Sequence, residues 1–180
     1  TLGSPHEWII EWKWDGIRGQ MIKRNGELFV WSRGEELMTE KFPEYTVLKY
    51  SLPNGVVLDG EIIPSQNGRP LAFALLQTRI GRKNVTKKQL TEAPITFFAY
   101  DLLEYEGNDM RETMLAERRI LLEKIVKQIN HPALLLSPVI SFTTWEELAN
   151  LRMQSRNIGS EGIMLKRKDS IYQVGRKRGD

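Results

Sequence analysis

The segment Glu-Trp-Lys-Trp-Asp-Gly-Ile-Arg, residues 11–18, places one lysine between two tryptophans and adds a glycine turn and a second cation. Residues 7–13 alternate loosely between apolar and polar side chains, which predicts a strand that ends at Lys13. Asp15-Gly16 then predicts a tight turn. Partial burial among aromatic rings and the charge of Arg18 would both disfavour an ammonium group. The segment predicts either a surface lysine whose stem covers a tryptophan or an amine able to attack an electrophile.

The rest of the chain predicts strands in groups with helices inserted between them. Asn25-Gly26 predicts a hairpin turn, and Thr144 with Glu147 predicts a capping box that opens a helix ending near Arg156. The later predicted strands are residues 56–65, 95–105 and 161–168, and the other predicted helices are residues 43–51, 71–80 and 114–129. This order predicts an α+β domain of antiparallel sheets with flanking helices, which opens with a meander of its first three strands.

The composition excludes several kinds of site. The 180 residues contain no cysteine, so disulfides, thiolate metal sites and cysteine nucleophiles are excluded. The chain does not open with a basic segment followed by an apolar stretch, and its longest apolar run, residues 95–103, is broken by Asp101. Neither a P-loop nor a dinucleotide-binding fingerprint is present. We expect a cytoplasmic protein that neither enters nor crosses a membrane.

Positive charge is concentrated near the end of the chain. The formal net charge is +3, but residues 165–180 carry six Lys and Arg against two Asp. The first 164 residues are therefore slightly acidic. A basic strip of this kind is either a solvated tail or a surface that contacts phosphate groups.

Five ordered motifs resemble those of the covalent nucleotidyltransferases, which include ATP-dependent DNA ligases, RNA ligases, mRNA-capping enzymes and NAD-dependent ligases. The first is Lys-x-Asp-Gly-x-Arg, which begins at Lys13. It is followed by WSRGEELMTEKFPE (31–44), LDGEII (58–63), FFAYDLL (97–103) and EGIMLK (161–166). The surrounding sequence resembles most the adenylation domain of bacterial ATP-dependent DNA ligases. The resemblance implies the covalent nucleotidyltransferase fold and a Lys13 that attacks the α-phosphate of ATP to form lysyl-AMP.

The same resemblance implies which residues bind phosphate and metal. Arg18, Arg33 and Lys166 would hold phosphate oxygens through charge-assisted hydrogen bonds, with Arg33 nearer the pyrophosphate or the 5′-phosphate of DNA. Glu161, together with Glu61, would bind a divalent cation such as Mg²⁺. The sequence contains no dedicated metal cage, so phosphate oxygens and water would complete the coordination shell.

The resemblance also implies a nucleoside site. Glu11 shares a strand face with Lys13 and would contact adenine, while Glu61 would take the ribose hydroxyl. Tyr100 stands where the family has phenylalanine and would stack on the base. Met164 would close the opposite face of the base or is an ordinary core methionine.

Residues 1–180 are predicted to be one adenylation domain, truncated before the last lysine motif of the family and before its OB-fold domain. The expected partners are nicked duplex DNA and the OB-fold domain of the same parent chain, and we expect a monomer. By itself the domain is expected to form lysyl-AMP slowly and not to seal nicks. Two alternatives stay open: an RNA ligase or an mRNA-capping-type guanylyltransferase, and a nick-binding module without activity.

Overall fold

The computed structural model describes residues 2–175, in which α-helices, short 3-10 helices and strands alternate along the chain. The strands are β1 (Trp8–Trp14), β2 (Ile17–Arg24), β3 (Glu27–Ser32), β4 (Val56–Gln66), β5 (Arg69–Pro70), β6 (Ile95–Tyr105), β7 (Asn108–Asp109), β8 (Leu134–Leu136) and β9 (Ser160–Arg167). The α-helices are α1 (Phe73–Ile80), α2 (Lys87–Glu92), α3 (Leu115–Ile129) and α4 (Trp145–Met153). The 3-10 helices are Pro5–Glu7, Thr39–Lys41, Pro43–Tyr50 and Ser155–Ile158.

The strands form two sheets. The large sheet has the order β3-β2-β4-β6-β7, with β5 paired to β4 and β8 paired in parallel to β6. The small sheet is the antiparallel pair of β1 and β9. The predicted α+β class with antiparallel sheets and flanking helices is therefore confirmed, with one parallel pair added.

The predicted opening meander is wrong, because β1 pairs with β9 and leaves β2 and β3 as a hairpin. Asp15-Gly16 does not close a tight hairpin; instead Gly16 lies against the backbone of β4, where an added Cβ would be 2.4 Å from the Ile62 carbonyl oxygen. The β2–β3 turn forms as predicted. Asn25 and Gly26 both have positive φ, 49° and 79°, as a type I′ turn requires.

The helices differ from the prediction mainly at their ends. Residues 43–51 form a 3-10 helix, and α4 ends at Met153 before a separate 3-10 turn. Thr144 caps α4 by accepting from the Glu147 N–H at 3.2 Å, but the Glu147 carboxylate accepts from the Thr143 N–H, so half of the predicted capping box forms. The short elements α2, β5, β7 and β8 were not predicted. No helix within residues 2–175 is both long and apolar enough to cross a bilayer.

Trp14 anchors the end of β1 to the large sheet. Its ring packs against Phe98, with ring centroids 5.1 Å apart, and forms a buried cluster with Ile63. Its Nε1 donates a hydrogen bond to Ser137 Oγ at 3.1 Å. The residue directly after Lys13 is therefore fixed in a core.

The helix α3 covers the large sheet and carries two arginines on its buried face. Its buried residues follow helical spacing: Leu115, Arg118, Arg119, Leu122, Ile125 and Val126. Arg118 Nε and Nη2 donate to the Asp101 carboxylate of β6 at 2.7 and 3.0 Å. The first turn of α3 donates backbone N–H groups to the carbonyls of Lys168 and Ser170, which ties residues 168–170 after β9 to this helix.

Gly60, in the third motif, is required by close packing between β4 and β6. A Cβ there would lie 2.5 Å from both Phe97 Cε1 and the Phe98 carbonyl oxygen. We expect Gly60→Ala to lower the free energy of unfolding in urea by about 1–3 kcal/mol, because strand and ring must move apart. Gly34→Ala is the control: its Cβ would come no nearer than 3.8 Å to Ser32 Oγ. Equal stability of the two variants would contradict this packing.

Candidate active site

Lys13 lies near the end of β1, beside the acidic residue of the last motif. Its Nζ is 2.8 Å from Glu161 Oε2, and its side chain is 54% exposed. The predicted burial of Lys13 among aromatic rings is wrong: Trp14 is buried in the core, but the Lys13 side chain is exposed near the end of β1. Its adjacent charge is a carboxylate and not Arg18. The predicted nucleophile is therefore accessible to a ligand.

Arg18 is held by a buried carboxylate that the sequence analysis did not single out. Its Nε and Nη2 donate to Asp59 Oδ1 and Oδ2 at 3.3 and 2.7 Å. The Tyr172 hydroxyl accepts from Arg18 Nη2 at 3.0 Å and donates to Asp59 Oδ2 at 3.1 Å. The hydrogen bond to Asp59 raises the pKa of Arg18 further above its ordinary value, and burial raises the pKa of Tyr172 to about 12. The Arg18 guanidinium therefore keeps its positive charge at neutral pH.

Glu61 is half-buried and lies opposite Arg18 in the β2–β4 pair. Burial raises its pKa from 4.5 to about 7, against the opposing effect of Arg18. The nearby carboxylates of Asp59, Glu161 and Asp15 act in the same direction as burial. Glu61 and Glu161, the predicted metal ligands, are thus close enough to repel each other.

The glycine of the first motif has a steric role in this arrangement. A Cβ at Gly16 would lie 2.4 Å from the Ile62 carbonyl oxygen and 3.1 Å from Glu61 Cγ. The absence of a side chain lets the segment after Lys13 approach β4 beside Glu61. This close approach explains why glycine, and not a larger residue, stands between Lys13 and Arg18.

Glu11 carries a buried carboxylate with two cationic partners. It is 2% exposed; its Oε1 accepts from Arg119 Nη1 at 3.0 Å and its Oε2 from Lys166 Nζ at 2.5 Å. Arg119 was not predicted as a site residue. Its position on the apolar stripe of α3 was the available signal, because a buried arginine needs a partner.

Lys166 lies at the predicted base site. Its Nζ is 4.4 Å from the centre of the Tyr100 ring, so the ammonium sits between that ring and Glu11. Met164 is opposite Glu11 in the β1–β9 pair and is 39% exposed. The structure therefore brings these four residues together, while the stacking of adenine between Tyr100 and Met164 stays a prediction.

Arg33 lies at the exposed end of the β2–β3 hairpin. Its backbone N–H donates to the Arg18 carbonyl at 3.0 Å, and its side chain is exposed. The two arginines predicted to hold phosphate are thus joined through their backbones. Residues 176–180, which contain three of the six cations of the C-terminal strip, lie outside the described residues, so its contact with phosphate stays a prediction.

A cavity of about 300 Å³ opens beside Glu161, and it is the cleft of the candidate site. Asp15 and Glu161 line it together with Arg156 and residues 70–73 and 159–160. Within residues 2–175 no group of three or more His, Asp or Glu side chains could hold a metal ion alone. Glu61 and Glu161 fit a cation that takes most of its ligands from phosphate and water, as Mg²⁺ does.

Comparison with known proteins assigns the chain to a family. The family described as "ATP dependent DNA ligase domain" matches residues 3–180. This chain belongs to the ATP-dependent DNA ligase domain family. Among curated relatives, a probable DNA ligase of Koribacter versatilis (strain Ellin345) is 32% identical and a DNA ligase of Acidianus ambivalens is 34% identical, over 94% and 93% of this chain.

A solved structure confirms the nucleotidyltransferase fold. A mycobacterial DNA ligase D in complex with ATP and MES is 30% identical, with a TM-score of 0.73 over 97% of this chain and 52% of that one. This chain spans 33% of the length of the Koribacter relative and 28% of the length of the Acidianus relative. The curated relatives are therefore about three times as long as this chain.

The raised pKa of Glu61 predicts a pH-dependent stability. Between pH 4.5 and about 7 the folded protein holds a proton on Glu61 that the unfolded chain releases, so stability from this group is lost as pH rises through that window. We therefore compare the change that Glu61→Gln makes in the free energy of unfolding at two pH values. Relative to the wild type, the variant should be more stable at pH 8.5 than at pH 5.5 by about 1–2 kcal/mol, because glutamine cannot carry the unfavourable charge. Urea unfolding at both pH values measures this difference.

The exposed Glu36→Gln variant makes the same chemical change at the surface and is the control. A change with pH that is no larger for Glu61→Gln than for Glu36→Gln would contradict the raised pKa of Glu61.

Proposed function

We propose that this chain is the adenylation domain of an ATP-dependent DNA ligase, with Lys13 as the nucleophile. The observation that carries the proposal is the accessible Lys13 amine, 2.8 Å from Glu161, beside a cavity that Asp15 and Glu161 line. Membership of the ligase family supports the choice of ATP and of DNA.

The proposed chemistry begins with loss of a proton from the Lys13 ammonium to water, which reaches its exposed side chain. The free amine attacks the α-phosphorus of ATP, a nitrogen–phosphorus bond forms, and pyrophosphate leaves with the electrons of the broken phosphoanhydride bond. AMP then passes from Lys13 to the 5′-phosphate of a nick. The adjacent 3′-hydroxyl attacks that phosphate and releases AMP, which closes the phosphodiester.

The cations of the cleft are proposed to stabilise the charge that builds on the phosphate oxygens. Arg18 stays charged because of Asp59, and its side chain is 34% exposed towards solvent. Arg33 is exposed nearby and is proposed to meet the leaving pyrophosphate or the 5′-phosphate of DNA. Removing either charge should slow the transfer of AMP.

Glu161, with Glu61 as a second candidate ligand, would hold a divalent cation such as Mg²⁺. The negative charge of Glu161 raises the pKa of Glu61, so a bound cation would relieve the repulsion between the two carboxylates. When bound, the cation neutralises charge on the triphosphate oxygens.

We propose that nicked duplex DNA is the second substrate and that an OB-fold domain of the parent chain assists in binding it. The family and the length of the curated relatives support both proposals. A monomer in the cytoplasm, where ATP and DNA are both present, is the proposed working form.

The proposal predicts a covalent adduct. Incubation with ATP and Mg²⁺ should raise the intact mass by about 329 Da, one AMP, on a fraction of the molecules. Lys13→Arg should show no gain, because a guanidinium keeps the charge but is not a nucleophile. Lys168→Arg, at an exposed lysine near the end of β9, is the matched control and should gain AMP as the wild type does.

An adduct on Lys13→Arg would overturn the assignment of the nucleophile. A mass gain with GTP in place of ATP would favour the capping-type alternative, and transfer of AMP to RNA ends but not to nicked DNA would favour an RNA ligase.

A further inference from the structure

The contacts on Glu11 divide into a fixed one and a replaceable one. Burying an ionised carboxylate is unfavourable unless opposite charge and hydrogen bonds compensate it. The Arg119 side chain is 6% exposed and belongs to the core, whereas the Lys166 side chain is 21% exposed. Of the two cations that compensate Glu11, only Lys166 can be exchanged for a ligand without opening the core.

The position of the Lys166 ammonium has the properties of a base-binding site. On one side it contacts a carboxylate oxygen at 2.5 Å, and on the other it lies 4.4 Å from the centre of the Tyr100 ring. The exocyclic amino group of adenine is a donor suited to the carboxylate, and the adenine ring can stack on the phenol. An adenine that enters replaces Lys166 at both contacts.

We propose that Arg119 is a positioning residue that keeps Glu11 as the acceptor for the adenine 6-amino group once nucleotide has displaced Lys166. The inference rests on the proposed function, since it takes ATP as the nucleotide. Arg119 itself does not touch the base.

The other contacts of Arg119 make it suited to this role. Its Nη2 donates to the Ser137 carbonyl at 2.7 Å, and its Nε donates to Glu123 at 3.0 Å. Ser137 also accepts, through its hydroxyl, from Trp14 Nε1. The planar guanidinium is therefore fixed from several sides and keeps its geometry when Lys166 leaves.

Without Arg119, release of Lys166 would leave the buried carboxylate with no cation. Lys166 is then expected to remain on Glu11, and the nucleotide has to compete with it for the base site. With Arg119 in place, the displaced Lys166 becomes free to meet phosphate oxygens, which is the role the sequence motifs imply for it. The replacement of Lys166 by adenine at Glu11 thus frees the Lys166 ammonium to compensate the negative charge of the phosphates.

The test compares ATP with purine riboside triphosphate, which lacks the 6-amino group, by titration binding to the purified protein. The wild type should bind ATP roughly tenfold more tightly than the analogue, the effect of one charge-assisted hydrogen bond. In Arg119→Gln the affinity for ATP should fall roughly tenfold, while the affinity for the analogue should fall less. The ratio of the two affinities should therefore approach one.

Arg118→Gln is the matched control. Arg118 lies one residue away on the same helix, is equally buried, and pairs with Asp101 and not with Glu11. This variant should keep the preference for the amino group even if its melting temperature falls. Arg119→Lys, which restores a cation, should recover part of the preference.

A purely structural Arg119 would weaken ATP and the analogue equally, and that result would overturn the inference. If Arg119→Gln does not fold, Lys166→Met provides the measurement with adenosine, which has no phosphate. Removal of the competing ammonium should tighten adenosine binding severalfold, because Arg119 alone then compensates Glu11. Weaker adenosine binding would overturn the inference.

The outcomes separate the two proposals. A preference for the amino group that depends on Arg119, without any AMP adduct, would overturn the proposed function and leave the inference standing. An AMP adduct, together with an unchanged preference for the amino group in Arg119→Gln, would support the proposed function and overturn the inference. Wild-type protein that binds neither nucleotide would overturn both.

Discussion

The structure depends on two neighbouring arginines of α3 that pair with buried carboxylates on different sheets. Arg118 binds Asp101 of the large sheet, and Arg119 binds Glu11 of the small sheet. Removing one partner of such a buried pair typically costs about 3–5 kcal/mol, because the remaining charge has no compensation. One helix thereby sets the position of both sheets, and the candidate site lies between them.

This attachment explains why an exposed lysine can still be a well-placed nucleophile. The strand that carries Lys13 is fixed by Glu11 two residues before it and by Trp14 directly after it. Its side chain extends from a rigid strand into the open cleft and meets Glu161. Reacting groups held on rigid elements lose less freedom in the transition state, which is the usual benefit of such positioning.

Motif spacing selected Lys13, Glu161 and Lys166 as candidate site residues, and their roles stay predictions. The structure places Lys13 beside Glu161, and Lys166 beside Glu11 and Tyr100. The motifs did not identify Asp59 or Arg119. A motif marks the residues expected to touch a ligand, but it does not indicate which other residues hold those side chains in place.

A physical signal for those partners was nevertheless present. Asp59 interrupts an apolar strand and Arg119 interrupts an apolar helix face, and charges in such positions need compensation. The pairing of β1 with β9 had no local signal at all, since nothing in a strand sequence encodes a partner about 150 residues away. The predicted burial of Lys13 failed for a related reason: residues 9–11 are buried on both faces of β1, and the loose alternation did not tell that exposure begins at Lys13.

A crystal structure of the protein with a non-hydrolysable ATP analogue tests the account most directly. We predict the adenine between Tyr100 and Met164 with its amino group on Glu11 Oε2, Arg119 still bound to Glu11, and Lys166 moved towards the phosphates. A complex in which adenine binds elsewhere while Lys166 remains on Glu11, or in which Arg119 has left Glu11, would contradict it.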